Sequence, residues 1–200
     1  MFDYIDEILT AFDKAEPKSA GIKTTAAPDD LFKVDKDCEK LHSNKVVEFH
    51  NLVAKTLYAT KRARPATCTA IAFLTTRLRA PNQDDWRKLS RLMKYVRGTR
   101  KMPLLLSVDG TGILKWWVDA SFAVHPNLRG HSGGGLSLGR GFPIVSSTKQ
   151  KLNICSSTET EVVGAADFMP AICWTQDYLM AQGYDIKANC LITENHALQR

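Results

Sequence analysis

The run Lys115-Trp116-Trp117-Val118-Asp119-Ala120-Ser121 constrains this chain more than any other, because it is an apolar strand that ends in an aspartate. Further on, Ser156-Ser157-Thr158-Glu159-Thr160-Glu161 opens a helix on glutamates, and a second strand from Ala188 to Thr193 closes on Glu194-Asn195. Two strands ending in acids, with a glutamate-led helix between them, gather carboxylates from remote segments. Such hard oxygen ligands hold divalent metal.

Around this frame the pattern reads as two regions. An amphipathic helix from Tyr4 to Phe12 leads into a weakly periodic stretch, where Ala27-Pro28-Asp29-Asp30 is expected to be a turn. Helices are expected over 45–64, from Thr67 to Leu78, and from Asp84-Asp85 to Val96 before Gly98. From Leu104 the signal becomes strand-like: Leu104 to Val108, Gly112 to Ala120, Gly134 to Leu138 and Gly141 to Ser147. A long helix then runs from Ser156 to about Ala181, with Val162, Ala165, Ala166, Met169 and Ile172 as its apolar stripe. Pro170 is expected to kink or break it, and Gly183 to cap it. Gly133-Gly134-Gly135 lacks the Gly-Lys-Ser/Thr ending of a phosphate loop and reads as a turn or bulge entering a strand. His125 and His131 read as surface residues of a turn-rich stretch near the acids.

The net charge of +6 is unevenly spread. Residues 1–54 hold 7 Lys/Arg against 11 Asp/Glu, residues 55–101 hold 13 against 2, and residues 102–200 hold 7 against 8. A basic middle block suggests a polyanion partner or a solvated face. In its last helix Trp86, Leu89, Leu92, Met93 and Val96 share one side, while Arg87, Lys88, Arg91, Lys94 and Arg97 form a stripe expected to face solvent. Such a stripe can track a phosphate backbone, with salt-dependent binding, or be a solvated helix face.

Two hundred residues, 44% of them apolar, suffice for one domain or two small ones. No apolar run is long enough for a membrane helix, and the first residues, Met1-Phe2-Asp3-Tyr4-Ile5-Asp6-Glu7, are acidic where a secretory signal is basic and then apolar. A cytosolic or nuclear location is expected. The five cysteines form no Cys-x-x-Cys pair and are expected to be reduced and mostly buried.

Singly, each acid has a plain structural alternative: Asp119 as a turn cap, Glu159 and Glu161 as helix-start residues, Glu194 as a surface acid. Jointly, their order suits phosphodiester hydrolysis by two divalent ions about 4 Å apart.

The segments Val118-Asp119-Ala120-Ser121-Phe122-Ala123, Arg129-Gly130-His131-Ser132-Gly133-Gly134, Val145-Ser146-Ser147-Thr148-Lys149-Gln150-Lys151 and Ser156 to Glu161 resemble the ribonuclease H segment of copia-type retrotransposon polyproteins. Phe49-His50-Asn51-Leu52-Val53-Ala54-Lys55-Thr56-Leu57-Tyr58, Lys61-Arg62-Ala63-Arg64-Pro65, and Trp86-Arg87-Lys88-Leu89 through Tyr95-Val96-Arg97-Gly98-Thr99 resemble the end of the reverse transcriptase that precedes it. The likeness covers about residues 45–200 in order.

That resemblance implies an α/β chain: a reverse transcriptase thumb/connection-like helical region over 1–101, then a partial ribonuclease H-like mixed sheet with helices over 102–200, truncated at its C-terminus. It implies metal-dependent cleavage of the RNA strand of RNA/DNA hybrids, with Mg2+ or Mn2+ in a two-ion site. Residue by residue, Asp119 matches the first catalytic and metal-binding carboxylate and Glu161 the second. Glu159 falls at the wrong glutamate of the motif. Glu194 stands where the family has an aspartate, one methylene shorter. The fourth carboxylate and the polymerase palm have no counterpart here. The implied partners are an RNA/DNA hybrid and the rest of the polyprotein, including the palm, with no membrane; the family's setting is a virus-like particle. Two further readings stand beside this one: a noncatalytic nucleic-acid-binding relic of the same origin, using Arg87, Lys88, Arg91, Lys94 and Arg97, and an unrelated mixed α/β interaction protein.

Overall fold

The computed structural model describes residues 1–17 and 19–193, and its contacts divide the chain into two units, Met1–Pro103 and Leu104–Arg200. The fold is mixed α/β, with helices in the first unit and a sheet crossed by one helix in the second.

In the first unit, α1 (Phe2–Ala15) buries Ile5, Ile8, Leu9 and Phe12, a spacing of three and four that makes one face. Helix α2 (Ser43–Ala63) buries Phe49, Leu52 and Val53 together with Thr56 and Thr60. Those two hydroxyls return to carbonyls one turn back, Leu52 O at 2.7 Å and Thr56 O at 2.8 Å, so their burial leaves no donor unpaired. Pro65 cannot continue α2; it opens a 3-10 turn (Pro65–Thr67), after which α3 (Cys68–Thr76) packs Ile71, Phe73 and Leu74 inward. Helix α4 (Gln83–Gly98) begins with a capping box: Asn82 accepts from the Asp85 amide at 2.9 Å and the Asp85 carboxylate accepts from the Asn82 amide at 3.0 Å. The Arg77 guanidinium clamps both Asp85 oxygens, at 2.9 and 3.1 Å. The Pro28–Asp30 stretch is a turn, with the Leu31 amide donating to Pro28 O.

In the second unit, β1 (Ser107–Val108) pairs with β4 (Gly139–Arg140) in a two-stranded sheet. The main sheet has the order β5-β3-β2-β6, from β5 (Ile144–Asn153), β3 (Arg129–Ser137), β2 (Ile113–Ser121) and β6 (Ala188–Ile192). The first three strands are antiparallel neighbours and β6 lies parallel to β2, Trp117 opposite Ile192. A parallel return needs a crossover, and α5 (Ser157–Ala181) supplies it. Leu114, Trp116, Val118 and Leu136 of the sheet bury against Phe168 and Ile172 of α5.

Several expectations are corrected. Helix α5 passes through Pro170 without a break. Its buried line is Thr160, Gly164, Phe168, Ile172 and Thr175, while Val162 and Met169 of the expected stripe are exposed. The reason is distance. A Cβ on Gly164 would come within 3.1 Å of the Ala120 Cβ, so the helix closes on the sheet at a glycine, with Phe168 and Ile172 filling the space further along. The three glycines Gly133, Gly134 and Gly135 lie within β3, not in a turn before it. All five cysteines are free, but only Cys68 is buried; Cys155, Cys173 and Cys190 are exposed. Gly183, at φ +87°, follows the helix end as foreseen. None of the described helices is long and apolar enough to cross a membrane.

Candidate functional site

Asp119 lies near the C-terminal end of β2, which has neighbours on both sides in the sheet. Alternation along β2 buries Leu114, Trp116 and Val118 toward α5 and leaves Trp117 and Asp119 exposed on the opposite face. Asp119 stands opposite Gly133, where a Cβ would meet nothing within 4 Å, so the carboxylate borders an open lane on the sheet.

The other acids enter from α5. Ser156 caps the helix by accepting from the Glu159 amide at 3.2 Å, and the Glu159 carboxylate accepts from the Cys155 amide at 2.9 Å. Glu159 is therefore engaged in capping, whereas Glu161 is half-buried one turn before Gly164. Gln150, fully buried on β5, donates to Ser132 Oγ and to Thr160 O, both at 2.9 Å, and so pins the first turn of α5 to the sheet. The approach of Gly164 to Ala120 thus brings the chain around Glu161 to the chain around Asp119. Strand β6 runs beside β2, but Glu194 lies outside the described residues. Among the described residues, no group of three or more His, Cys, Asp and Glu side chains is placed to hold a metal ion.

Sequence reasoning missed a polar chain beside this lane. His125 Nε2 lies 3.0 Å from His131 Nδ1, and His131 Nε2 lies 2.6 Å from Ser147 Oγ. The expectation of surface histidines is corrected: they are 3% and 6% exposed, because the loop before β3 folds His125 over His131. Burial lowers both to about 4; at His125 the charges of His131 and Lys149 add to it. The linkage is direct. The unfolded chain binds protons at these histidines below about pH 6.5 while the folded unit does not, so stability falls as pH drops from 6.5 toward 4. Chemical denaturation between pH 7 and 5, above most carboxylate titrations, is expected to show a falling midpoint for the sheet unit, and His131→Gln a flatter profile. An equal slope in both chains would contradict this.

The basic stripe of α4 also differs from expectation. Lys88 does not face solvent: it is 1% exposed, paired with Asp84 at 2.7 Å, hydrogen-bonded to Lys33 O, and 5.1 Å above the Phe73 ring. Arg97 binds the Asp13 carboxylate and Ser19 O, and Arg87 binds Asp30 at 2.5 Å and Asp84 at 2.7 Å. Burial alone would raise the Asp84 carboxyl, but hydrogen bonds from Lys88 and Arg87 hold it below the usual range. Arg100 pairs with Asp6, and Lys55 with Glu7 at 2.6 Å. The acidic first 54 residues thus fold back onto the basic block and neutralise much of it within the unit. Of the stripe, Arg91 and Lys94 are the two cations not held by a carboxylate among the described residues.

Fold and acids together define a mixed α/β unit with an exposed aspartate near the end of an internal strand and a half-buried glutamate on the helix that crosses the sheet, joined in sequence to a helical unit. No family model and no solved structure matches the chain. Curated proteins do. The chain is similar to the retrovirus-related Pol polyprotein from transposon TNT 1-94 of Nicotiana tabacum, 28% identical over 138 residues that make up 68% of this chain and 10% of the relative. It is also similar to a putative transposon Ty5-1 protein of Saccharomyces cerevisiae, 25% identical over 128 residues, 63% of this chain and 42% of the relative. The distant homologues are thus transposon-derived proteins, and the chain spans less than half the length of either.

Proposed function

We propose that the chain is a fragment of a retrotransposon-derived polyprotein whose sheet unit is ribonuclease H-like and whose ancestral chemistry is cleavage of the RNA strand of RNA/DNA hybrids. The reading rests on the similarity to the transposon polyprotein and, within the structure, on one observation: α5 closes on β2 at Gly164 and Ala120, three residues after Glu161 and one after Asp119, with the Asp119 side chain on the opposite face of the sheet. Its helical unit would be thumb- and connection-like, and its partners a hybrid duplex and the remainder of the polyprotein with the polymerase palm, in the cytosol or nucleus.

Carboxylate oxygens suit Mg2+ or Mn2+, which when bound generate hydroxide and steady a leaving oxygen. Asp119 and Glu161 alone do not make a two-ion cage. What these residues offer is an exposed carboxylate, Asp119, beside an open sheet lane and a half-buried one, Glu161, on the helix that Gln150 fixes.

The metal-binding part of this reading is tested by Mn2+ titration of the whole chain followed by electron paramagnetic resonance. Asp119→Asn and Glu161→Gln are each expected to weaken binding at least about tenfold, or about 1.4 kcal/mol. Affinities equal to the unmodified chain would overturn the assignment. The shortage of clustered acids among the described residues favours, as a second reading, a noncatalytic nucleic-acid-binding module of the same origin.

A further inference from the structure

The stripe cations left without carboxylates do not lie on an open helix face. Arg87, Ser90, Arg91 and Lys94, at successive turns of α4, line a cleft of about 430 Å³ with Trp86 and Glu16. Four of the wall groups are already engaged with one another or with carboxylates. Glu16 accepts from Trp86 Nε1 at 3.0 Å and from Ser90 Oγ at 3.4 Å, and Arg87 is held by Asp30 and Asp84.

Arg91 is different. One terminal nitrogen donates to Thr24 Oγ1 at 2.8 Å, but its Nε is buried and has no acceptor. Arg91 is thus held by one neutral hydroxyl and by no carboxylate among the described residues, which leaves its charge uncompensated at the cleft wall. Lys94, one turn along on the same wall, adds a second cation whose ammonium has no acceptor among the described residues.

We infer that this cleft binds a phosphate group through Arg91 and Lys94. A tetrahedral oxyanion in the cleft can accept from the Arg91 guanidinium and from the Lys94 ammonium together, as charge-assisted hydrogen bonds. The volume exceeds that of a bare phosphate, so the group can arrive on a nucleotide or on a nucleic-acid backbone. Trp86 is 5% exposed and has Lys45 4.7 Å over its ring, so recognition comes from charge rather than from base stacking.

The test is titration of the full chain with inorganic phosphate, a nucleoside monophosphate and a short single-stranded oligonucleotide. Arg91→Gln and Lys94→Gln are each expected to weaken binding at least tenfold. Arg62→Gln, which alters a cation stacked over Tyr58 and outside the cleft lining, is expected to leave it unchanged. Arg91→Lys, which keeps the charge and loses the planar guanidinium, should also bind more weakly, guarding against a folding artefact. Weakening seen with phosphate and mononucleotide assigns a free phosphorylated ligand; weakening confined to the oligonucleotide assigns a backbone phosphate. Absence of binding to all three probes, or equal weakening by Arg62→Gln, would overturn the site. The cleft lies within Met1–Pro103 and the acids within Leu104–Arg200, so failure of either assignment leaves the other standing.

Discussion

Gly98→Ala is expected to destabilise the helical unit by about 3 kcal/mol, although glycine-to-alanine in a helix ordinarily stabilises by about 1 kcal/mol. A Cβ at Gly98 would stand 2.0 Å from Ile22 O, 2.5 Å from Ile22 C and 2.6 Å from Ile22 N, all of them backbone atoms that no rotamer change can move. The approach is mutual: a Cβ on Gly21 would stand 2.6 Å from the Gly98 amide nitrogen. The segment around Ile22 is held on α4 by the Ile22 amide donating to Lys94 O at 3.0 Å, by Arg97 on Ser19 O and by Arg91 on Thr24. An added methyl must push this segment away and strain those bonds together. Denaturant titration of the variant measures the loss, and stability equal to or above that of the unmodified chain would show that the two backbones are not in contact.

Gly98 also marks a limit of sequence reading. The helix was expected to stop there, and α4 does end at Gly98, but the glycine serves the close passage of a distant segment, which no local pattern announces. The apolar periodicity of Trp86, Leu89, Leu92, Met93 and Val96 was legible because burial repeats along one element, and all five are buried. The partners of the opposite stripe were not. Asp13, Asp30 and Lys33 reach Arg97, Arg87 and Lys88 from segments 55 to 84 residues away in sequence, and only tertiary folding brings them there. Helix α5 shows a different failure. Its inward line contains Thr160, Gly164 and Thr175, so counting apolar residues turned the helix away from its true face. The capping serine at 156 and the strand that ends near Asp119 were readable, since both are set by residues close in sequence. The chain of His125, His131 and Ser147 depends on strand register, His131 opposite Lys149 and Gly133 opposite Ser147, which periodicity does not supply.

The second large effect concerns Asp119. Its carboxylate ends an exposed lane of the sheet at a strand flanked on both sides, and asparagine has nearly the same shape without the charge. If Asp119 holds metal for phosphodiester hydrolysis, its loss displaces or removes the ion, and displacement of reacting groups by about 1 Å already costs about a hundredfold. Asp119→Asn is therefore expected to lower hybrid cleavage by about a hundredfold or more while leaving the fold intact, because the side chain is exposed and buries no packing surface.

The direct measurement is cleavage of a labelled RNA/DNA hybrid by this chain and by its Asp119→Asn form, in magnesium and in manganese, with duplex DNA as the control substrate. The proposed chemistry requires cuts in the RNA strand that need the metal and vanish with Asp119→Asn. Cleavage that survives Asp119→Asn, or no cleavage of the hybrid by the unmodified chain in either metal, would contradict it.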